Sequence, residues 1–123
     1  MYREFILDHF KNPRNFGTLE NAEIRHREFN PLCGDQVEIF LKLNGDGAIQ
    51  DVRHTARGCA ISVSAMSMLS ETLRGLTLRE VAGMGKESML GLLGIPIGPV
   101  RIKCALLPFY ALKGGIIAYE SRK

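Results

Sequence analysis

Cysteine is scarce in this chain, and the spacing that would make it informative by itself is absent. Cys33, Cys59 and Cys104 stand 26 and 45 residues apart, with no Cys-x-x-Cys pair. Three thiols cannot all pair within one chain, and a 123-residue domain can close a core without disulfides, so they read as free thiols. Long apolar runs are also missing. The longest uncharged stretches, Gly58–Ser70 and Ser88–Val100, have 13 residues each, short of the ~17–25 of a membrane helix. The first residues include Arg3, Glu4, Asp8 and Lys11, where a secretory leader would be apolar. Neither a membrane span nor a leader is expected, and the expected setting is cytoplasmic. Charge of one sign is lacking too: 16 Lys and Arg against 13 Asp and Glu leave a net +3. No aromatic residues interleave with Arg25, Arg27, Arg53, Arg57, Arg101 or Lys103 as a stacking platform, so nucleic acid is not an expected partner. What remains is ordinary: 46% hydrophobic and 24% charged residues exclude a disordered or low-complexity chain. They predict one globular domain over residues 1–123.

The patterning runs from strands to helices. Residues 2–10 predict a short helix on which Phe5, Ile6 and Phe10 share a face, stopped by Asn12-Pro13. From Gln36 to Leu43, Val37, Ile39, Leu41 and Leu43 alternate with polar residues, as in a strand with one buried face; Phe40 is the exception. Asn44-Gly45-Asp46-Gly47 predicts a hairpin into a strand over about 48–56, and Ala22–Phe29 a weaker first strand with Ala22, Ile24, His26 and Glu28 on one face. After Gly58, Ile61, Ala65, Met68, Leu69 and Leu73 recur at helical spacing, predicting an amphipathic helix. Thr77-Leu78-Arg79-Glu80 is a capping box, and Lys86–Leu93 a further short helix. The last segment predicts a helix from about Ala105 to Glu120, with Pro108 in its first turn and hence a start near Cys104. The expected fold class is α+β, a three-stranded antiparallel sheet followed by helices packed on one face.

Local context makes more of the cysteines than spacing does. Cys33 lies in the turn-rich loop Asn30-Pro31-Leu32-Cys33-Gly34-Asp35, Cys59 at a strand-to-helix junction, and Cys104 at the predicted start of the last helix behind Arg101 and Lys103. Helix N-termini and nearby cations stabilise thiolate. Such element boundaries can converge at one end of a small fold, and Asp35 adds a hard oxygen donor. Three thiolates and a carboxylate would complete a tetrahedral Zn²⁺ site or hold a [2Fe–2S] cluster.

These residues carry a family resemblance. Leu7-Asp8-His9-Phe10-Lys11-Asn12-Pro13-Arg14-Asn15-Phe16-Gly17, Asn30-Pro31-Leu32-Cys33-Gly34-Asp35, Gly58-Cys59-Ala60-Ile61-Ser62 and Arg101-Ile102-Lys103-Cys104-Ala105 resemble, in order and nearly end to end, the motifs of the IscU/SufU/NifU N-terminal family of iron–sulfur cluster assembly scaffolds. The resemblance implies that Cys33, Asp35, Cys59 and Cys104 ligate metal or cluster. It also implies that a cysteine desulfurase delivers sulfur as a persulfide and that apo iron–sulfur proteins receive the product. Two departures stand out. Lys103 occupies the place of a histidine in the IscU branch and is similar to the SufU branch, whereas the 45-residue interval before Cys104 is close to the compact IscU length. Ile97-Gly98-Pro99-Val100-Arg101 keeps only part of the Leu-Pro-Pro-Val-Lys segment, which puts docking of a dedicated chaperone in doubt.

Two readings of function follow. One is a non-enzymatic scaffold for [2Fe–2S] assembly, with a second protomer available to bridge or complete the cluster. The other is a zinc-containing sulfur carrier of the SufU kind, with Zn²⁺ on the same four residues. Asp35 reads as the labile ligand and Cys104 as the persulfide acceptor, with Cys33 as the alternative acceptor. Lys103 reads as a support for the Cys104 thiolate or as an ion-pair partner of Asp35. His9 and His26 read as surface or packing residues and His54 as a hydrogen-bonded core histidine. Ser62, Ser64, Ser67 and Ser70 read as the small polar side of a helix, and Met66, Met68, Met84 and Met89 as core.

Overall fold

The computed structural model describes residues 4–31 and 34–122. Helix α1 (Glu4–Lys11) precedes three strands, β1 (Ile24–Asn30), β2 (Asp35–Leu43) and β3 (Ile49–His54), which form an antiparallel meander in the order β1-β2-β3. Four helices follow: α2 (Ala60–Leu73), α3 (Leu78–Ala82), α4 (Lys86–Leu93) and α5 (Pro99–Ser121). This is the expected α+β architecture.

The alternation in β2 sets the layers. Val37, Ile39 and Leu41 are fully buried, and the core lies between this face and the helices α2 and α5. The alternation extends one step further back than expected, because Asp35 is the first residue of β2 and is 2% exposed in phase with Val37. Phe40 points the other way yet is buried. It lies beside Thr18–Ala22, with the Arg25 guanidinium 5.1 Å from its ring centroid. The hairpin turns as expected: the Asn44 side-chain oxygen accepts from the Asp46 and Ala48 amides, and Gly47 takes a φ of +80°.

Three expectations need correction. α2 is not amphipathic, since Ile61 through Ser70 are buried without interruption. Its serine side is covered by α1 and the segment after it. Ser64 Oγ donates to the Ile6 carbonyl at 2.6 Å, and Ser67 Oγ accepts from the Arg14 amide at 2.8 Å and meets His9 Nδ1 at 2.7 Å. Ser70 Oγ accepts from the Asn15 side-chain amide at 3.0 Å. On α1, Ile6 alone is buried, whereas Phe5 and Phe10 stand 37% and 39% exposed; the helix meets α2 through Ile6, whose carbonyl accepts from Ser64, and through the His9 contact with Ser67.

The third correction concerns α5, which begins at Pro99 and not near Cys104. Gly98 is its N-cap and Pro99 fills the first helical position, where a missing N–H is harmless. Pro108 therefore lies in the helix interior, and Cys104 in the second turn rather than at the dipole-favoured first one. By length and composition α5 could cross a membrane, but 56% of that window is buried in the fold, and the helix packs on β1 and β2. Gly114 and Gly115 permit this approach. A Cβ on Gly115 would lie 3.0 Å from Ile24 Cγ2 and from His26 Cβ.

Candidate metal centre

Three elements present donor atoms to one open cavity of about 430 Å³, lined by Asp35, Gly58, Cys59, Val100, Arg101 and Cys104. Asp35 comes from the start of β2, Cys59 from the N-cap of α2, and Cys104 from the second turn of α5. One ligand atom from each, the two sulfur atoms and a carboxylate oxygen, lies within 4.8 Å of the others. Cys104 is 5% exposed and Cys59 half-buried. Cys33 lies outside the described residues.

The local chain explains the convergence. Gly58 turns β3 into α2 with a φ of +137°, and a Cβ there would overlap the Asp35 carboxylate. Cys59 makes no capping bond with its own side chain. Instead its backbone N–H donates to Asp35 Oδ1 at 3.2 Å, and Ser62 Oγ, in the same first turn, donates to Asp35 Oδ2. Asp35 thus serves α2 as an N-terminal cap supplied from the sheet, where the helix dipole favours a negative charge.

The donor set suits a borderline or soft metal. Tetrahedral zinc bonds of ~2.0–2.3 Å put donor atoms roughly 3.3–3.8 Å apart, and the three donors here all lie within 4.8 Å of one another. Two sulfurs with one carboxylate oxygen are disfavoured for Mg²⁺ or Ca²⁺, which take oxygen shells. Three described donors leave a fourth position to be filled.

Other candidates are placed as follows. Lys103 lines a neighbouring groove between β1 and α5 together with Glu28, Phe29 and Tyr110, whereas Arg101 lines the metal cavity. Val100 stands 84% exposed at the cavity mouth. His54 is fully buried. Its Nδ1 accepts the Ala56 amide at 3.2 Å, so Nε2 carries the proton donated to the Arg14 carbonyl at 2.9 Å. Burial pushes its pKa down to about 4, which keeps it neutral. His9 is also lowered, chiefly by burial, and contacts Ser67 and Glu71. His26 pairs with Glu28 at 3.0 Å on β1. None of the three belongs to the metal cavity.

Sequence reasoning missed Ser62 and Gly58 as parts of the site. The signal for Ser62 was its place three residues after the N-cap, where a side chain can meet whatever caps the helix.

A small α+β domain that gathers two thiols and a carboxylate at one end of its sheet has a donor set that could hold a metal ion or cluster. Comparison with known sequences gives the family: residues 1–123 match the NifU-like N-terminal domain, and the chain belongs to that family. It is 34% identical over 137 aligned residues to the zinc-dependent sulfurtransferase SufU of Bacillus subtilis, covering 98% of this chain and 92% of that one. It is 31% identical over 125 residues to the iron–sulfur cluster assembly scaffold protein IscU of Escherichia coli, covering 99% and 96%. Among solved structures, it superposes with a TM-score of 0.77 and 27% identity on a candidate cluster assembly scaffold protein for the SUF system from Fervidobacterium islandicum, over 94% of this chain and 96% of that one. A NifU-like N-terminal protein from Brucella abortus shares the fold at a TM-score of 0.81 and 23% identity, covering 98% and 95%.

Proposed function

We propose that this protein is an iron–sulfur cluster assembly scaffold that works in the cytoplasm. It takes sulfur from a cysteine desulfurase, builds a [2Fe–2S] cluster on Cys33, Asp35, Cys59 and Cys104, and passes it to apo-proteins. The observation that carries this reading is the convergence of Asp35, Cys59 and Cys104 within 4.8 Å from three separate elements. An exchangeable carboxylate among soft thiolates suits a protein that must both hold and release its cargo. The open side of the cavity, at Val100 and Arg101, leaves room for a donor or acceptor.

In the sulfur-delivery step, the Cys104 thiolate attacks the outer sulfur of the desulfurase persulfide. A new S–S bond forms on Cys104, the donor's S–S bond breaks, and the desulfurase cysteine leaves as thiolate. Cys33 is the alternative acceptor, and Lys103 is the cation proposed to favour the attacking thiolate.

A second reading is favoured by Lys103 before Cys104 and by the 34% identity to a zinc-dependent sulfurtransferase. Here Zn²⁺ is resident on the same residues and the protein carries sulfur to a separate scaffold. Bound zinc would supply thiolate stabilisation and fixed ligand geometry. Two thiols and a carboxylate oxygen within 4.8 Å of one another are a donor set that suits zinc, which supports this reading.

Anaerobic incubation with a desulfurase, cysteine and ferrous iron separates the two. Stoichiometric iron and acid-labile sulfide with a visible charge-transfer band are expected of the scaffold. A retained zinc that blocks cluster formation while desulfurase turnover rises would replace the first reading with the second.

A further inference from the structure

Ser62 is fully buried in the first turn of α2, and its hydroxyl lies between two of the candidate ligands. It donates to Asp35 Oδ2, and its oxygen is 3.3 Å from Cys59 Sγ. A serine hydroxyl has one proton to donate and two lone pairs to accept with. The proton is committed to the carboxylate, so the oxygen faces the sulfur as an acceptor. Asp35 Oδ1 is held at the same time by the Cys59 amide. Both carboxylate oxygens are therefore held by one helical turn.

We infer that Ser62 is a positioning residue for Asp35: its hydroxyl locks the rotation of the carboxylate and keeps an oxygen within ligating reach of Cys59 and Cys104. The inference rests on the reading of Asp35, Cys59 and Cys104 as ligands. A bond to a ligating carboxylate fixes its orientation and typically governs 10–100-fold in metal affinity. A serine that merely filled space in α2 would act on stability and leave the role of Asp35 unchanged.

The test is the affinity of the full chain for Zn²⁺, measured by chelator competition. The unsubstituted protein and Asp35→Ala are compared first. No binding, or equal binding by the two, would remove Asp35 from the ligand set, and the inference with it. Once Asp35→Ala has weakened binding, Ser62→Ala is expected to lose about 10-fold or more. Ser62→Thr, which keeps the hydroxyl while adding bulk, is expected to bind as the unsubstituted protein does. In an Asp35→Ala background, Ser62→Ala is expected to change affinity by no more than about twofold. Unchanged affinity in Ser62→Ala, or an undiminished loss in the double variant, overturns the proposal. The arrangement also has a readout that needs no substitution: in the metal-free protein the Cys59 amide is expected to exchange slowly, and unprotected exchange there overturns the proposal too.

Discussion

The backbone N–H of Cys59 donates to Oδ1 of Asp35 at 3.2 Å, so one carboxylate is both a candidate ligand and the cap of the central helix. Removing it acts on the fold even without metal. Asp35→Ala is expected to cost the metal-free protein about 1 kcal/mol, the usual worth of an N-cap. Asp35→Asn, which keeps an oxygen for the Cys59 amide, is expected to lose less. Urea unfolding in the presence of a chelator reads both, and a metal-free Asp35→Ala protein as stable as its parent would contradict the capping role.

Ser67 anchors the N-terminal segment through two bonds, from the Arg14 amide and with His9 Nδ1. Ser67→Ala leaves both groups without that partner and is expected to cost about 1–3 kcal/mol. Because the loss falls on the docking of α1, trypsin is expected to cut after Lys11 or Arg14 sooner than in the parent. An unchanged cleavage rate would mean that α1 is held by other contacts.

His54 makes stability depend on pH. Its folded pKa of about 4 lies below the ordinary ~6.5 of an unfolded histidine, so between these values the unfolded chain takes up a proton that the folded one refuses. The contribution is fully present above pH ~6.5 and is lost as pH falls, reaching about 3 kcal/mol near pH 4. His54→Phe keeps a ring against Phe16 but gives up the bonds to Arg14 and Ala56. It is expected to be less stable at pH 7.5 and to lose less on acidification. Parallel stability-against-pH curves for the two proteins would assign the acid sensitivity elsewhere.

Gly115 and Gly114 bring α5 against β1, but their neighbours differ in freedom. A Cβ on Gly115 meets fully buried Ile24, whereas one on Gly114 meets chiefly the tip of half-buried His26. Gly115→Ala is expected to destabilise by about 1–3 kcal/mol through overpacking. Gly114→Ala is expected to be milder, because His26 can turn aside and alanine favours the helix. Thermal melts that rank the two in the opposite order would contradict this account of the packing.

What could be read from the sequence was what local chemistry decides. The alternation of β2, the Asn44–Gly47 hairpin and the Thr77–Glu80 capping box each depend on a few neighbouring residues, and all three are present. The start of α5 was misread because two prolines fit the same rule; Gly98 directly before Pro99 supplies the N-cap that Pro108 lacks. The serine side of α2 was misread for another reason. The hydroxyls of Ser64 and Ser67 meet backbone groups 58 and 53 residues away, and no helical period reports a partner so distant. The metal centre was legible as separate residues at element boundaries, and Cys59 sits at the junction expected. The hold of Ser62 on Asp35, across 27 residues, follows only once α2 has docked on the sheet.

The origin of the donors in three elements ties occupancy to folding by mass action. An ion or cluster that binds the assembled junction and not the unfolded chain adds roughly 2.7 kcal/mol of stability when present at 100 times its dissociation constant. That increment is spread over the contacts that hold α2 and α5 to the sheet, since all three must be in register for Asp35, Cys59 and Cys104 to meet. A loaded chain would accordingly be the more heat-resistant form, and giving up the bound group would return it to a softer state.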